Sequence, residues 1–262
     1  MLRHQKKGIV LTKFGKAYLS YAQSAMTSLD KGQETVSAIL RGSDQINIAV
    51  TQPMSVTQVP EILSRFSKSE NGKNITYDFQ LTSASQGAAM VADGRADIGF
   101  VGKESIRLYD NLRYCPLAYD RLYIITSANH GLALRNKVAL KDLFNYPYIG
   151  WSEQTGLHDI LKEAFEQEVG AQPLARVEVA DSYIAAGMVA AGFGVAVCPE
   201  IPYMSYLNIK KINPHGKRWI RPFGLIYKNE SRQIPIIKNF ISFVEQHIKD
   251  PVFVYAHVKW DS

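Results

Sequence analysis

The sequence predicts an α/β protein with two similar units behind one long helix. Strand-like and helix-like runs alternate twice along the chain, a proline-free helical stripe precedes them, and small polar residues collect where strand-like runs end. Short apolar runs alternating with amphipathic helices point to parallel sheets joined by right-handed crossovers.

The long helix comes first. Thr12 is its expected N-cap, and Phe14, Ala17, Tyr18, Tyr21, Ala22, Ala25, Leu29, Val36 and Ile39 follow at roughly helical spacing. No proline interrupts residues 12–41, and Gly42 is the expected stop. One apolar stripe on so long a helix has no core of its own, so a helix of another subunit is its expected partner. Packing on its own domain is the alternative.

In the first unit, Gln45–Val50 reads as a strand, and Val59, Ile62, Leu63 and Phe66 mark an amphipathic helix. Ile75–Leu81 alternates as a strand, a helix runs through Met90 and Val91 to a stop near Gly94, and Asp97–Val101 is a third strand. Two further strand-like runs cover Leu112–Leu117 and Arg121–Thr126. The second unit follows: a short helix from Val138, a strand Tyr148–Trp151, a helix over 156–169, a strand Arg176–Val179, a helix Asp181–Ala191 and a strand ending at Pro199. Strand-like residues 207–212 and 218–227 precede a last amphipathic helix, Pro235–Ile248.

Hydrophobic residues make up 46% of the 262 and charged residues 21%, which fits a soluble globular chain rather than a disordered one. No apolar run approaches the ~18 residues of a membrane span, and the first residues lack the apolar core of an export signal. A cytoplasmic location is expected. Cys115 and Cys198 lie far apart and are read as buried hydrophobes rather than a disulfide framework. The net charge is +6. Arg3, Lys6, Lys7, Lys13 and Lys16 form an acid-free block that is either a solvated tail or a phosphate contact.

Thr51, Gln52 and Ser55 follow the first strand, and Thr82, Ser83 and Ser85 the second. Trp151 to Thr155 follow a strand of the second unit, and Asp181 and Ser182 another. Ligands of open α/β sheets sit beyond the carboxyl ends of strands, where helix N-termini offer unpaired N–H groups. Two such units facing each other make a cleft for a small polar molecule, with an anion favoured. Helix capping alone also accounts for any one of these residues. Lys103 and Glu104 follow a strand and either border the same cleft or form a solvated rim. The histidines show no metal-ligand spacing, and no nucleophile elbow or phosphate loop is present, so no catalytic group, metal or cofactor is assigned.

Four segments, in order along the chain, resemble the LysR-type transcriptional regulators. Leu2-Arg3-His4 through Leu11-Thr12-Lys13-Phe14-Gly15 is similar to the family's wing strand and linker-helix start. Ala92-Asp93-Gly94-Arg95-Ala96-Asp97-Ile98-Gly99, Asn129-His130-Gly131-Leu132 and Met188 to Pro199 resemble three further segments, with Gly131 where the family usually has proline. The resemblance implies a type 2 periplasmic-binding-protein-like fold with two subdomains joined by antiparallel crossover strands near Tyr123–Ile125 and Leu225–Tyr227. It divides the chain into a wing remnant (1–11), a linker helix (12–41), subdomain I (42–124 and 226–262) and subdomain II (125–225). It also implies an effector bound between the subdomains by Thr51, Gln52, Ser83, Ser85, Trp151 and Ser152. Asp181 lies at a further pocket turn, where it selects an amine or caps its helix. A homodimer or homotetramer is implied, with DNA as partner of the intact family member and no membrane. The sequence opens within the wing, so Arg3, Lys6 and Lys7 are expected to make only weak DNA contacts. The alternatives on this fold are a transporter's solute-binding protein and a small-acid enzyme; neither an export segment nor a diagnostic acid–base pair favours them.

Overall fold

In the computed structural model of this chain, described for residues 2–247 except 6, 7, 42, 43, 57, 154 and 216–218, the apolar runs at Ile98–Gly102, Tyr148–Trp151 and Ala196–Pro199 become strands covered on both faces. Strands β1 (Leu2–Gln5) and β2 (Gly8–Leu11) form an antiparallel hairpin that leads into α1 (Lys13–Arg41). The Thr12 hydroxyl accepts a hydrogen bond from the Gly15 N–H at 3.1 Å, which caps the first turn. Phe14, Tyr18, Tyr21, Met26, Leu29 and Val36 of this helix are exposed, so this part of its stripe has no cover among the described residues.

The first lobe continues through β3 (Asp44–Val50), α2 (Gln52–Ser55), α3 (Gln58–Ser67), β4 (Ile75–Leu81), α4 (Ala84–Asp93) and β5 (Ile98–Gly102). Strand β3 lies parallel between β4 and β5. Its alternate residues serve two cores. Ile46, Ile48 and Val50 pack with Phe66, Phe100 and Phe240 on one face, while Ala49 packs with Ala88, Val91 and Val101 on the other. The Phe66 ring meets Phe240 edge-on at 5.0 Å. Asp97 Oδ2 accepts from both the backbone N–H and the side-chain amide of Asn47, pinning the entry of β5 to β3.

Strand β6 (Leu112–Ser127) is a single strand of 16 residues where the sequence shows two runs. The second lobe then adds β7 (Lys137–Val138), the expected short helix, in 3-10 form and over Leu140–Asn145, β8 (Tyr148–Trp151), α5 (Gly156–Val169), β9 (Ala175–Val179), α6 (Ser182–Ala190), β10 (Ala196–Pro199) and β11 (Ile209–Pro214). Strand β8 pairs parallel with β9, and Val195, just before β10, makes a parallel bridge to Tyr148. A separate core of Ile149, Leu157, Leu161, Phe165, Ala186, Val189 and Val197 fills this lobe. The chain returns through β12 (Ile220–Lys228) and ends its described part in α7 (Pro235–His247), which closes the first lobe.

Only strands join the lobes in sequence. β12 runs antiparallel to β6 from Lys228↔Leu112 to Ile220↔Arg121, and β12 also pairs with β5. Further along, β6 pairs with β10 and β11 instead. The crossing therefore falls around Tyr119–Leu122, earlier in β6 than the expected 123–125, and on the return strand it falls at Ile220–Phe223, ahead of 225–227. A register shift at Phe223/Gly224 leaves Leu117 unpaired beside Pro116, because proline has no N–H for a ladder and fits at a bulge. At Gly224 a Cβ would stand 2.3 Å from the Cys115 carbonyl oxygen, so only glycine allows the two strands this approach.

Candidate functional site

The carboxyl ends of β3, β4, β8 and β9 face one cavity of about 970 Å³ between the lobes. The first lobe contributes Thr51, Gln52, Thr82 and Ser83, the second Trp151, Thr155, Gly156 and Asp181, and the crossing strands form a floor with Asp120, Arg221 and Phe223. Apolar walls come from Val56, Leu81, Leu157, Ile201 and Met204. This mixture suits a small molecule with polar ends and an apolar middle.

The residues singled out in the sequence divide into two groups. Thr51, Gln52, Ser83, Trp151 and Asp181 line the cavity, whereas Ser85 and Ser152 are not among its lining residues. Thr51 is buried and its hydroxyl donates to the Phe100 carbonyl at 3.1 Å, which leaves its oxygen as an acceptor. Ser83 forms a capping box: its oxygen accepts from the Gln86 N–H, and the Gln86 side chain accepts from the Ser83 N–H. Its hydroxyl hydrogen stays available to a neighbour, and Ser85 Oγ stands 3.3 Å away on the exposed side. Trp151 is buried, with its indole N–H donated to Val197 at 2.8 Å, so it offers the cavity a ring face. The Ser152 carbonyl instead accepts from the Thr155 hydroxyl at 2.8 Å. Asp181 accepts from the Tyr183 and Ile184 N–H groups and thus caps α6. Its charge is answered by that helix end, which favours the capping reading over an amine partner.

Of the basic residues at the start, Lys6 and Lys7 lie outside the described residues. Arg3 belongs to β1, opposite Val10.

Sequence reasoning missed the floor. Arg221 and Asp120 are directly opposed on β12 and β6, and their side chains form an ion pair at 2.8 Å while being only 9% and 4% exposed. Burial pushes the Asp120 carboxyl above the ordinary carboxylate range, and Arg221 opposes that push. These two residues lie 101 positions apart, so no local pattern announces them. Thr82 was read as part of a polar cluster only; its buried hydroxyl has no hydrogen-bond partner.

Glu104 lies in a 3-10 turn (Lys103–Ile106) behind this floor. Its carboxylate crosses from the first lobe to the second: a Cβ on Gly156, the first residue of α5, would stand 2.2 Å from Glu104 Oε1. Both oxygens are buried and have no hydrogen-bond partner on another residue among the described residues. Desolvation therefore raises its pKa, while Arg221, its own backbone N–H and Arg107 pull it back. Nearby, Tyr114 has a buried hydroxyl without a partner, and burial and Glu104 push its pKa far up.

Both cysteines are free and buried. Burial pushes the Cys115 thiol up to about 11 and Cys198 further still, so neither is a ready nucleophile. Among the described residues there is no group of three His, Cys, Asp or Glu side chains that could hold a metal, and no helix long and apolar enough to cross a membrane.

The fold and its cleft define a two-lobed effector-binding protein of the type 2 periplasmic-binding-protein-like kind. A family model described as the LysR substrate binding domain matches residues 41–249, and the chain belongs to that family. It is 23% identical over 94% of its length, and 83% of the relative's, to the uncharacterized HTH-type transcriptional regulator YybE of Bacillus subtilis strain 168. The effector binding domain of QuiR in complex with shikimate superposes with a TM-score of 0.73 at 22% identity, covering 79% of this chain and 98% of that one. The regulatory domain of CcmR from Synechocystis PCC6803, in complex with 2-PG, gives 0.68 at 16% identity over 79% and 99%.

Glu104 has a consequence for stability. A carboxyl whose folded-state pKa is raised stabilises fully below its unfolded value of ~4.3 and loses that contribution as pH rises through the folded value. Glu104→Gln is therefore expected to raise the melting temperature at neutral pH, with the gain closing as pH falls toward 4. Thermal melts across this range check it, and a gain independent of pH contradicts it.

Proposed function

We propose that the cleft is the effector site of a LysR-type regulator and that its ligand is a small anion. The carrying observation is that both lobes present strand ends and capped helix starts to one cavity. In this reading Thr51, Gln52 and Ser83 hold the ligand from the first lobe and Trp151 from across the cleft. Ser85 and Ser152 serve as neighbours of the ligand-bearing turns, and Asp181 shapes the α6 turn. A ligand touching both lobes biases their arrangement only to the extent that it binds one arrangement better than the other. The domain division follows the same reading, with residues 1–11 as wing and 12–41 as linker, and with the expected boundaries 124/125 and 225/226 between subdomains I and II moved to the ribbon crossing around 119–122 and 220–223. We assign no enzymatic step: the cleft's acids face internal partners rather than one another. Cytoplasmic residence accords with this role.

The uncovered stripe of α1 supports a homodimer or homotetramer, with Arg3, Lys6 and Lys7 as weak, salt-sensitive DNA contacts. A solute-binding role in transport has no use for such a stripe. Analytical ultracentrifugation reads the state directly: a dimer or tetramer is expected, and a monomer throughout the micromolar range contradicts the pairing.

For the cleft, isothermal titration compares the wild-type chain with Ser83→Ala and Thr51→Ala. The titrants are compounds that raise the melting temperature in a screen that includes shikimate. Each substitution is expected to weaken binding by roughly 0.5–3 kcal/mol where its hydroxyl meets the ligand. Unchanged affinity in correctly folded variants contradicts the assignment.

A further inference from the structure

We propose that Arg221 receives the acidic group of the cleft's ligand, and that this ligand is a small monocarboxylate rather than a neutral compound or a dianion. The proposal rests on the cleft being the ligand site and adds the chemical class and the residue that selects it.

A guanidinium carries five N–H donors. Asp120 Oδ2 takes one through Nη2 at 2.8 Å and is the one acceptor recorded for Arg221 among the described residues. Nε is buried without a partner. The side chain is only 9% exposed, so bulk water does not make up the shortfall, and leaving donors unmet in such a place is costly. What exposure remains belongs to a residue lining the cavity, and the guanidinium stacks 4.4 Å over the Phe223 ring, which lines it too. A planar fork fixed by stacking and by one carboxylate is prepared to take a second carboxylate end-on, at the Nη donors that Asp120 leaves over.

The other charges of the cavity wall are answered within the chain. Glu200 pairs with Lys211, Glu61 with Arg65, and Asp181 accepts two N–H groups of α6. Arg121 also lines the cavity and its Nε lacks a partner, but it stands opposite Ile220, on the alternate side of the ribbon from the Asp120–Arg221 pair. The floor is therefore a neutral ion pair with spare donors. One ligand carboxylate uses those donors and adds a single charge shared across Arg221. A second charge on the ligand would meet cations already committed elsewhere, beside Asp120 and in front of Glu104, and a neutral amide would gain no charge-assisted bond.

The location adds a consequence. Arg221 and Asp120 are paired across the strands that join the lobes, so an acid seated there touches the ribbon about which the lobes are arranged. Ligand chemistry and lobe arrangement then meet at one side chain.

The test is a thermal-shift and titration panel of small monocarboxylates (shikimate, benzoate, glycerate), the primary amide of each, and the dianions succinate and malonate. The expected result is that at least one monocarboxylate binds the wild-type chain while its amide and the dianions bind at least roughly tenfold more weakly. That preference is expected to fall by a similar factor in Arg221→Lys, which keeps the charge but loses the fork. It is expected to vanish in the double variant Arg221→Gln with Asp120→Asn, which replaces the ion pair by a neutral amide pair and guards against misfolding from an orphaned acid. Amides or dianions that bind as tightly as the acids, or acids that bind the double variant unchanged, overturn the assignment, as does a panel in which no acid binds. Ser83→Ala separates the two claims. A preferred amide or dianion weakened by Ser83→Ala leaves the cleft reading standing and removes only the role of Arg221. A compound indifferent to both sets of substitutions removes the cleft reading itself.

Discussion

The antiparallel pairing of β6 with β12 is the constraint on which the rest depends. Each strand belongs to both lobes, so the sheet hydrogen bonds that stabilise one lobe also fix where the other begins. Pro116 and Gly224 allow the ribbon its bulge, and Asp120 and Arg221 set an ion pair into it where the cleft opens. Such a buried pair is weak evidence for stability, because desolvation consumes much of the Coulomb gain. Its place at the junction of two lobes, with donors left over, makes more sense as a site that a ligand completes.

Around this ribbon the two lobes repeat one piece of physics. A strand ends, and a helix starts with a residue whose side chain accepts from the first turn: Ser83 before α4, Thr155 before α5, Asp181 before α6. The same residues that stop the strands and cap the helices therefore face the cleft. Capping and ligand contact are not rival uses here. A capping oxygen accepts from its own helix, while the ring face of Trp151, and the hydroxyl hydrogen of Ser83 when Ser85 is the donor between the two, remain for a guest.

Local signals were the legible ones. Helix α5 runs over 156–169 as read from the sequence, because Thr155 caps its start and Gly170, at φ 79°, its end. The polar clusters were legible for the same reason, and they led to Thr51, Gln52, Ser83, Trp151 and Asp181 at the cavity wall. They did not tell which neighbour turns inward. Ser85, within the first turn of α4, is carried to the exposed side, and Ser152 spends its carbonyl on Thr155. Strand β6 reads as two runs, Leu112–Leu117 and Arg121–Thr126, because Asp120 interrupts the apolar pattern between them, and only the partner strand shows them to be one. Asp120, Arg221 and Glu104 were illegible as a group, since strand register and lobe packing, not spacing, bring them together.

Hydrogen–deuterium exchange of the full chain, with and without a saturating compound from the stabilising screen, shows whether a ligand is held between the lobes. Slowed exchange is expected together on both lobes, at residues 51–56 and 82–87 and at 155–158 and 182–185, and on the ribbon around 119–122 and 220–224. Protection confined to one lobe, or along α1 alone, would contradict a ligand held between the lobes.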